Sequence, residues 1–337
     1  MKIERQKDHY IPETYLKSFI DETKPGHVRR YPKKYHGLCT PASPRSICWE
    51  WDGDRNERYF PDSPRILDKF LNLIECRWKK AIQDFEKQDF NLDAKMIIAS
   101  NIARLRTCTP TFKRLGKTFL EADLENQKPL MINSINNPEI FSDFLKKNPQ
   151  FDKGKDAERK MLIESLSSDD IRLTVEESFP HALAIQNVAL LSFALYCQPW
   201  SIINNVSSKP FLTSDYPTPF IYYPNRPHMG DTYIPLTPRQ AILIPTSVRS
   251  AAVQNKPFLE MYTADEIAVE NLNTIIVKWA EDQIIANLEA DWIKEMVRKY
   301  QYWRPESINT KVHEDVDAVF YQDKVDAIEK VKKHDHY

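Results

Sequence analysis

Glycine is scarce in this sequence, with 6 residues against 23 prolines in a chain of 337. Phosphate-binding loops of the P-loop and dinucleotide-binding types need several closely spaced glycines, because the backbone must turn sharply and approach the phosphates. Neither G-x-G-x-x-G nor G-x-x-x-x-G-K-[S/T] occurs. The sequence therefore excludes these two classes of nucleotide-binding site.

Paired cysteines and long apolar runs are also missing. The five cysteines are odd in number and include no C-x-x-C pair, which argues against a disulfide framework and a finger-type zinc site. The first residues, MKIERQKDHY, lack an apolar signal core, and no stretch of 18 apolar residues occurs. We therefore expect a cytoplasmic protein that is neither exported nor membrane-spanning.

A basic field over the whole surface is absent, because 47 Lys and Arg residues face 48 Asp and Glu residues. One local segment, residues 27–45, is basic and contains no acid. Its Arg29, Arg30 and Lys33, interleaved with Tyr31, could contact a phosphate backbone and stack on bases. They are candidate substrate-binding residues for a nucleic acid or nucleotide partner. The alternative is a solvated hairpin face whose charges balance acids elsewhere.

Hydrophobic residues make up 42% of the chain, enough to build a sizeable core. We predict an α+β fold, in which a mostly helical middle and C-terminal region packs with a small mixed or antiparallel sheet. Residues 1–300 are predicted to form one large domain, followed by a charged C-terminal extension, 301–337. The predicted segments of the domain are 1–60 (loops and strands), 64–198 (helical), 199–260 (strand-rich) and 263–300 (helical).

Local signals place several helix boundaries. Ser63 and Pro64 have the pattern of an N-cap followed by a first-turn proline, and apolar residues follow at helical spacing. Pro110 is expected to help end the helix before it. Thr263 and Glu266 match a capping box and predict the start of a helical tract that reaches about residue 300.

The helix predicted for residues 92–107 is apolar on nearly every side, which is typical of a buried helix. Ser100, Asn101 and Arg104 form one narrow polar stripe along it. A buried guanidinium needs a carboxylate, carbonyls or an anionic ligand as partner. Arg104 and Asn101 are therefore candidate site residues. The alternative is an internal salt bridge, for which Glu75 is the candidate partner.

The stretch KPFLTSDYPTPF, residues 209–220, runs from an apolar strand into Thr213, Ser214 and Asp215 and breaks at Pro217. Polar groups at the end of a strand are where sites are commonly built. Asp215 could bind a metal or act as a base, with Ser214 beside it as a substrate contact. Alternatively, the Asp215 carboxylate caps backbone N–H groups beside the proline.

The stretch DHYIPETYLKSF, residues 8–19, combines a structural signal with a chemical one. Pro12 can start a helix, and the residues Tyr15, Leu16 and Phe19 can anchor it to the core. His9 has no such task, and as a titrating group it could be a general base or a metal ligand. The alternative is a histidine that is hydrogen-bonded to the backbone at the start of the helix.

These motifs resemble the bacterial and fungal domain-of-unknown-function 4238 family. The opening HYIPETYLKSF is similar to the family's HY[VI]P-x-x-[YF]-L-x-x-F, and FLTSDYPT (211–218) to its F-x-[TS]-S-D-x-P element. The segments LNLIE (71–75), IASNIARLRTCTP (98–110), IPLTPRQAILI (234–244) and ENLNTIIVKWA (270–280) follow in the family's order. The resemblance spans about residues 8–290. Tyr216 departs from the Asn often found after Ser-Asp.

The resemblance carries no known activity, but it implies that His9, Glu75, Arg104, Ser214 and Asp215 are motif positions. Converging His, Glu, Arg and Asp side chains would suit a hydrolase acting on a phosphate-containing substrate, with carboxylates that hold water or a divalent metal. In that reading His9, Glu75, Arg104 and Asp215 are catalytic. The alternative is a non-catalytic binding or interaction protein in which the same residues form a structural network.

Overall fold

The structure, a computed structural model, describes residues 5–89, 91–149, 155–168, 170–223, 226–245 and 258–305. Within these ranges the chain has the predicted α+β fold, with a helical layer, mixed and antiparallel sheets and a loop-rich N-terminal segment. The strand predicted near residues 318–321 lies outside the described residues.

The N-terminal segment contains short strands and one short helix. β1 pairs antiparallel with β4, so that Asp8 lies opposite Glu50. The sequence after the D-G-D turn also predicts a return strand at 58–60, but turns are found there. The elements are β1 (Lys7–His9), α1 (Glu13–Leu16) with a 3₁₀ turn at Lys17–Phe19, β2 (Val28–Pro32), β3 (Thr40–Ala42) and β4 (Trp49–Trp51).

The helical layer is built around α3, which packs against both α2 and α7 and is buried along most of its length. The predicted bounds of α3 are confirmed, and Asn91 caps its start by accepting a hydrogen bond of 2.8 Å from the backbone N–H of Ala94. The helices are α2 (Ile66–Glu86), α3 (Leu92–Thr107), α4 (Pro110–Asn136), α5 (Pro138–Lys147), α6 (Lys155–Ser167) and α7 (Phe179–Cys197).

α3 ends at Thr107, before Pro110 as predicted, and Pro110 is the first residue of α4, where its missing N–H costs nothing. Two predicted helix starts are corrected. The N-cap of α2 is Arg65 rather than Ser63. The cap of the helix after residue 263 is Asp265, whose side chain accepts from the N–H of Ala268 at 2.8 Å, while Thr263 belongs to a strand.

The C-terminal half alternates strands with two helices. One five-stranded sheet has the order β10-β5-β9-β8-β7, with β10 and β5 parallel and the other neighbours antiparallel. The elements are β5 (Trp200–Asn205), β6 (Thr213–Ser214), β7 (Phe220–Tyr223), β8 (Arg226–Pro235), β9 (Gln240–Ile244), β10 (Phe258–Ala264), α8 (Glu266–Trp279), β11 (Gln283–Ala286) and α9 (Asp291–Lys299).

β11 interrupts the tract that the sequence predicts as helical. It lies in a second sheet of order β3-β2-β11-β6, between the N-terminal β2 and the strand β6 of the T-S-D motif. Ile284 and Ile285 are fully buried in it, and Ile285 is paired with Arg30 on one side and with Thr213 on the other. This sheet therefore joins the N-terminal segment, through β2, to the T-S-D motif, through β6.

α7 is the one helix of the described ranges that is long and apolar enough to cross a membrane by length and composition alone. A core helix meets the same criterion, and α7 packs its buried side against α3. Leu190 and Phe193 are exposed on its other side.

Candidate functional site

Three of the predicted residues, Arg104, Glu75 and His9, meet at the Arg104 side chain, which projects from α3. Arg104 is 2% exposed, and its Nη1 donates a hydrogen bond to the Glu75 carboxylate. Its Nη2 donates to the backbone carbonyl of His9 at 2.7 Å. The side chain of Glu75 is about a third exposed. The internal salt bridge that the sequence offered as an alternative is therefore present between α3 and α2, and the second bond of Arg104 holds β1 against the helical layer.

His9 contributes its backbone rather than its ring to Arg104. The imidazole Nε2 lies 3.1 Å from the carbonyl oxygen of Arg45 and 3.9 Å from the Glu13 carboxylate. The ring thus has a backbone partner, as the structural alternative proposed. A catalytic role for His9 stays a prediction.

Asp215 follows β6 directly and is buried, with both carboxylate oxygens occupied. Oδ1 accepts from the N–H of Glu281 at 2.9 Å, and Oδ2 accepts from the N–H groups of Asp282 at 2.7 Å and Gln283 at 3.0 Å. Burial raises the pKa of Asp215 to about 7, against the opposing effect of these backbone N–H groups. The carboxylate therefore caps a distant segment, the approach to β11, rather than its own turn.

The two most specific motifs touch each other next to Asp215. The Tyr15 hydroxyl donates to the carbonyl of Pro235 at 2.8 Å and is 2.7 Å from the Thr213 hydroxyl oxygen. Ser214 is fully buried, and its Oγ accepts from the N–H of Tyr216 at 3.2 Å. Tyr15 of the opening motif thus anchors α1 to β6, the strand directly before Asp215.

Of the basic segment, Arg29 and Arg30 have side-chain partners within the protein. Arg29 donates to the buried Asp21 at 2.5 Å and to Glu289 at 3.1 Å. Arg30 donates to the Gln283 side chain at 2.5 Å. Both guanidinium groups therefore help to hold β2 against its neighbours, and a role in nucleic-acid binding stays a prediction.

Lys33 and Tyr31 are also held by protein atoms. Lys33 is buried, and its ammonium group donates to the carbonyls of Ala280 at 2.6 Å and Trp303 at 2.5 Å. Burial lowers the pKa of Lys33 to about 8. The Tyr31 hydroxyl donates to the carbonyl of Leu288 at 2.8 Å. The two side chains tie the C-terminal elements to β2.

Asp54 is a site candidate that the sequence reasoning did not single out. It lies in the turn after β4, is 7% exposed, and its carboxyl makes no hydrogen bond within the part of the chain that the structure describes. Burial raises its pKa to about 6, an effect reinforced by the charge of Asp8 and opposed by Arg104 and Lys113. A carboxyl that titrates near neutral pH beside two cations is typical of acid–base sites.

The surroundings of Asp54 are built from ion pairs. Arg65 donates to both Asp8 oxygens and to Asp52, each at 3.0 Å. The N–H of Asp54 donates to Asp8 at 3.1 Å. These bonds occupy the carboxylates of Asp8 and Asp52, whereas the Asp54 carboxyl makes no hydrogen bond to the residues that the structure describes. The sequence signal was the D-G-D turn, which by itself predicts only a turn.

Lys113 contacts this turn, and α3 carries two buried polar atoms that bear on a site. Lys113 donates to the Glu50 carboxylate and to the Gly53 carbonyl, each at 3.1 Å. Within the described ranges, the Nε of Arg104 and the Oδ1 of Asn101 are buried without a hydrogen-bond partner. Buried polar atoms are nearly always satisfied, so such atoms mark places that bind water or a ligand.

His181 is a second residue that sequence reasoning missed. It occupies the first turn of α7, is 5% exposed, and its Nε2 has no hydrogen-bond partner among the residues that the structure describes. Burial, and then the charge of Lys113, lower its pKa to about 3. The imidazole is therefore neutral at pH 7, and it lies close enough to Lys113 for that charge to affect its pKa. A histidine in an apolar helix gave no signal in the sequence.

The sequence left a divalent metal open as a cofactor. In the described ranges, no group of three or more His, Cys, Asp or Glu side chains is arranged to hold a metal ion. The candidate site is therefore defined by Asp54, Arg104, Lys113 and His181, which we call the Asp54 cluster, without a ligand set for a metal.

Comparison with known families agrees with the resemblance noted in the sequence. One family profile, described as protein of unknown function (DUF4238), matches residues 7–290. No curated protein and no solved structure matches the chain. The match includes β1, in the opening motif, and β11, whose approach is capped by Asp215. Because it covers most of the sequence, the chain belongs to the DUF4238 family of proteins of unknown function.

Proposed function

We propose that the protein is a hydrolase of phosphate-containing substrates, nucleotides or nucleic acids, and that Asp54 is its general acid–base residue. One observation carries the proposal: Asp54 is a buried carboxyl without a hydrogen bond in the described structure, and its pKa is raised to about 6. Proton transfer is most efficient when the pKa of the catalytic group lies near the working pH.

In the proposed reaction Asp54 takes a proton from a water molecule whose oxygen attacks phosphorus. The new P–O bond forms as the bond to the leaving oxygen breaks, and the proton passes from Asp54 to that oxygen. Arg104 and Lys113 both lower the pKa of Asp54, so their charges are close enough to stabilise the negative charge that develops. Arg104 Nε, unpartnered within the described ranges, is the donor that can serve the substrate.

The remaining predicted residues support the site in this proposal. Glu75 and the backbone of His9 hold the guanidinium of Arg104 in place. Asp215 acts at a distance, by fixing β11 against β6. We also propose a cytoplasmic location, which is supported by the five cysteines being free thiols.

The second candidate function is a non-catalytic binding or interaction protein. It is favoured by the protein partners that the four motif residues already have: Arg104 bonds Glu75 and His9, and Asp215 bonds three backbone N–H groups. In this case the motif preserves a network that holds the N-terminal segment on the sheets.

A hydrolysis screen with a matched pair of variants separates the two candidates. Wild type, Asp54→Asn and Asp62→Asn are assayed on bis-p-nitrophenyl phosphate, p-nitrophenyl phosphate, nucleotides and single-stranded nucleic acid between pH 5 and 9. Asp62 is exposed and close in sequence, and it serves as the control. We expect Asp54→Asn to lose at least about 100-fold in kcat/KM, which is typical for removal of a general acid–base group.

The pH profile adds a check that a structural role would not produce. The wild type should show an ionisation near pH 6 in kcat/KM, and this ionisation should be missing from any residual activity of Asp54→Asn. Wild-type protein without phosphoester hydrolysis, or an Asp54→Asn variant with full activity, would contradict the proposal and leave the binding protein as the better candidate.

A further inference from the structure

One face of the ribbon formed by β1 and β4 carries two tryptophans and is open to solvent. The two strands pair antiparallel, with Lys7 opposite Trp51 and His9 opposite Trp49. Directly opposed residues of an antiparallel pair have their side chains on the same face. Trp51 is 48% exposed, Lys7 is exposed, and the other two are partly exposed. We call the surface formed by these four residues the ribbon face.

The opposite face of the ribbon belongs to the surroundings of Asp54. The residues between those of the ribbon face point the other way, because side chains alternate along a strand. Asp8 accepts from Arg65 at 3.0 Å, and Glu50 accepts from Lys113 at 3.1 Å. The ribbon therefore places its tryptophans close to the proposed catalytic carboxyl, on a surface that the proposed reaction does not use.

The two tryptophan rings hold each other in place. Their ring centres are 5.4 Å apart and their planes are nearly perpendicular, at 81°. The Trp49 Nε1 donates to the carbonyl of Ser46 at 3.2 Å, and the Lys7 ammonium group lies 4.0 Å from the Trp49 ring centre. Trp49 is thus partly covered, and Trp51 is the ring with the larger free surface. A ring that is already held in place loses little conformational freedom on binding.

A second cation lies at the Trp49 end of the ribbon face. Arg45 is exposed and belongs to a 3₁₀ turn at Pro44–Ser46. The His9 Nε2 lies 3.1 Å from the carbonyl oxygen of Arg45, and Trp49 bonds the carbonyl of the next residue. The Arg45 side chain therefore starts beside the two ring systems, and His9 helps to hold the turn that carries it.

The acidic groups near the ribbon face already have cationic partners. Asp52, which follows β4, accepts from Arg65 at 3.0 Å. Glu13, on α1, lies 3.7 Å from Lys17 and 3.9 Å from His9. By contrast, no ion pair within the described ranges neutralises the two other cations of this surface, Lys7 and Arg45. The ribbon face therefore combines a free aromatic surface with unneutralised positive charge.

This combination suits a single strand of nucleic acid. Unpaired bases stack on aromatic rings, and the backbone phosphates between them bind lysine and arginine. A neutral oligosaccharide also stacks on tryptophan, but it gains nothing from the two cations. A duplex buries the faces of its bases, so it cannot use the Trp51 ring in the same way.

We propose that the ribbon face binds single-stranded nucleic acid, with a base stacked on Trp51 and the backbone phosphates at Lys7 and Arg45. The two tryptophans are two residues apart on β4, about 7 Å along the strand, so neighbouring bases can meet them in turn. That this strand is also the substrate rests on the proposed function, whereas its binding can be measured without hydrolysis.

Fluorescence anisotropy on the full chain tests the proposal. The probes are labelled oligo(dT) and oligo(U) of about 12 nucleotides, a labelled DNA duplex of the same length, and cellohexaose as an unlabelled competitor. We expect at least one of the single strands to bind, and the duplex to bind at least about tenfold more weakly. The comparison of oligo(dT) with oligo(U) shows which nucleic acid is preferred. Cellohexaose should not displace either of them.

Matched variants localise the binding. Trp51→Ala should weaken it about tenfold or more, because a stacked base loses its ring. Tyr302→Ala, the control, removes an aromatic side chain that is 86% exposed elsewhere and should change nothing. Arg45→Gln should lower the slope of log affinity against log salt concentration by about 0.7, as expected for one phosphate contact. Arg298→Gln, on the exposed side of α9, should leave that slope unchanged.

The ribbon face and the proposed hydrolase can fail separately. Trp51→Ala should still hydrolyse bis-p-nitrophenyl phosphate, which has no base, and Asp54→Asn should bind oligonucleotides like the wild type. Binding without any phosphoester hydrolysis would support the ribbon face and contradict the hydrolase. Hydrolysis without oligonucleotide binding would overturn the ribbon face alone. Equal losses in Trp51→Ala and Tyr302→Ala, or displacement of the strand by cellohexaose, would also overturn it.

Discussion

The substitution Asp54→Asn should make the protein more stable at alkaline pH, because it removes a buried charge. Burial raises the pKa of Asp54 from 3.8 to about 6. One pKa unit corresponds to about 1.4 kcal/mol, so keeping the carboxylate ionised in the folded protein costs about 3 kcal/mol. Asn has nearly the same shape and no charge, so the variant should regain about this amount of unfolding free energy.

The gain has a defined pH window. Above pH 6 the wild type carries the full cost, since the carboxylate is ionised in both the folded and the unfolded state. As the pH falls from about 6 to 3.8 the folded carboxyl is protonated first, and the cost disappears. The stabilisation by Asp54→Asn should therefore be largest at pH 7–8 and close to zero at pH 4 and below.

Urea unfolding followed by circular dichroism measures this effect at one-unit steps from pH 4 to pH 8. Asp62→Asn, an exposed control, should change the unfolding free energy by less than about 0.5 kcal/mol. A gain for Asp54→Asn that is the same at pH 4 and pH 8, or a loss at pH 8, would refute the reasoning. It would mean that the carboxylate has favourable contacts when ionised.

Three further substitutions test the contacts around the motifs. Arg104→Ala should lower the unfolding free energy by about 3 kcal/mol, because it removes a buried guanidinium that donates to Glu75 and to the His9 carbonyl; thermal unfolding beside Glu75→Gln, whose loss should be smaller because the glutamine oxygen can still accept from Arg104, checks this. Asp215→Ala should destabilise the protein, since three N–H groups lose their acceptor, and the loss should grow as the pH falls from 7 to 5, because the wild type then no longer carries the cost of a buried charge; a near-neutral result at pH 5 would contradict the capping role. His181→Leu should unfold at a lower pH than the wild type. The imidazole binds a proton below about pH 6.5 in the unfolded protein but only near pH 3 in the folded protein. Protonation of His181 therefore destabilises only the wild type between these pH values, and the acid-unfolding midpoints of the two proteins measure the difference.

The local elements could be predicted where burial leaves a repeating pattern. α3 has the predicted bounds, Leu92–Thr107, because it is surrounded by protein and so is apolar on every side. The run FIYY, rich in aromatic and β-branched residues, predicts a strand at residues 220–223, and β7 has these bounds, Phe220–Tyr223. By contrast β11 is only four residues long, and its type is decided by the strands on either side of it rather than by its own sequence.

The candidate site was only partly accessible to sequence reasoning. Glu75 could be named as a candidate partner of Arg104, because a buried guanidinium requires a carboxylate, carbonyls or an anionic ligand. Asp54 and His181 could not be predicted as site residues, because the sequence around Asp54 predicts only a turn and His181 lies in an apolar helix. Burial is the main cause of the raised pKa of Asp54 and of the lowered pKa of His181, and it is set by the tertiary structure.

The sequence by itself determined the family, the α+β class and the residues that must be buried, because these follow from motifs and hydrophobic periodicity along the chain. Only the tertiary structure decided what the polar residues do. In the folded protein the Asp215 carboxylate accepts hydrogen bonds from three backbone N–H groups, whereas the Asp54 carboxyl makes no hydrogen bond in the described ranges. The physical reason is that the chemistry of a side chain depends on its burial and on the charges around it, and both are set by residues distant in sequence.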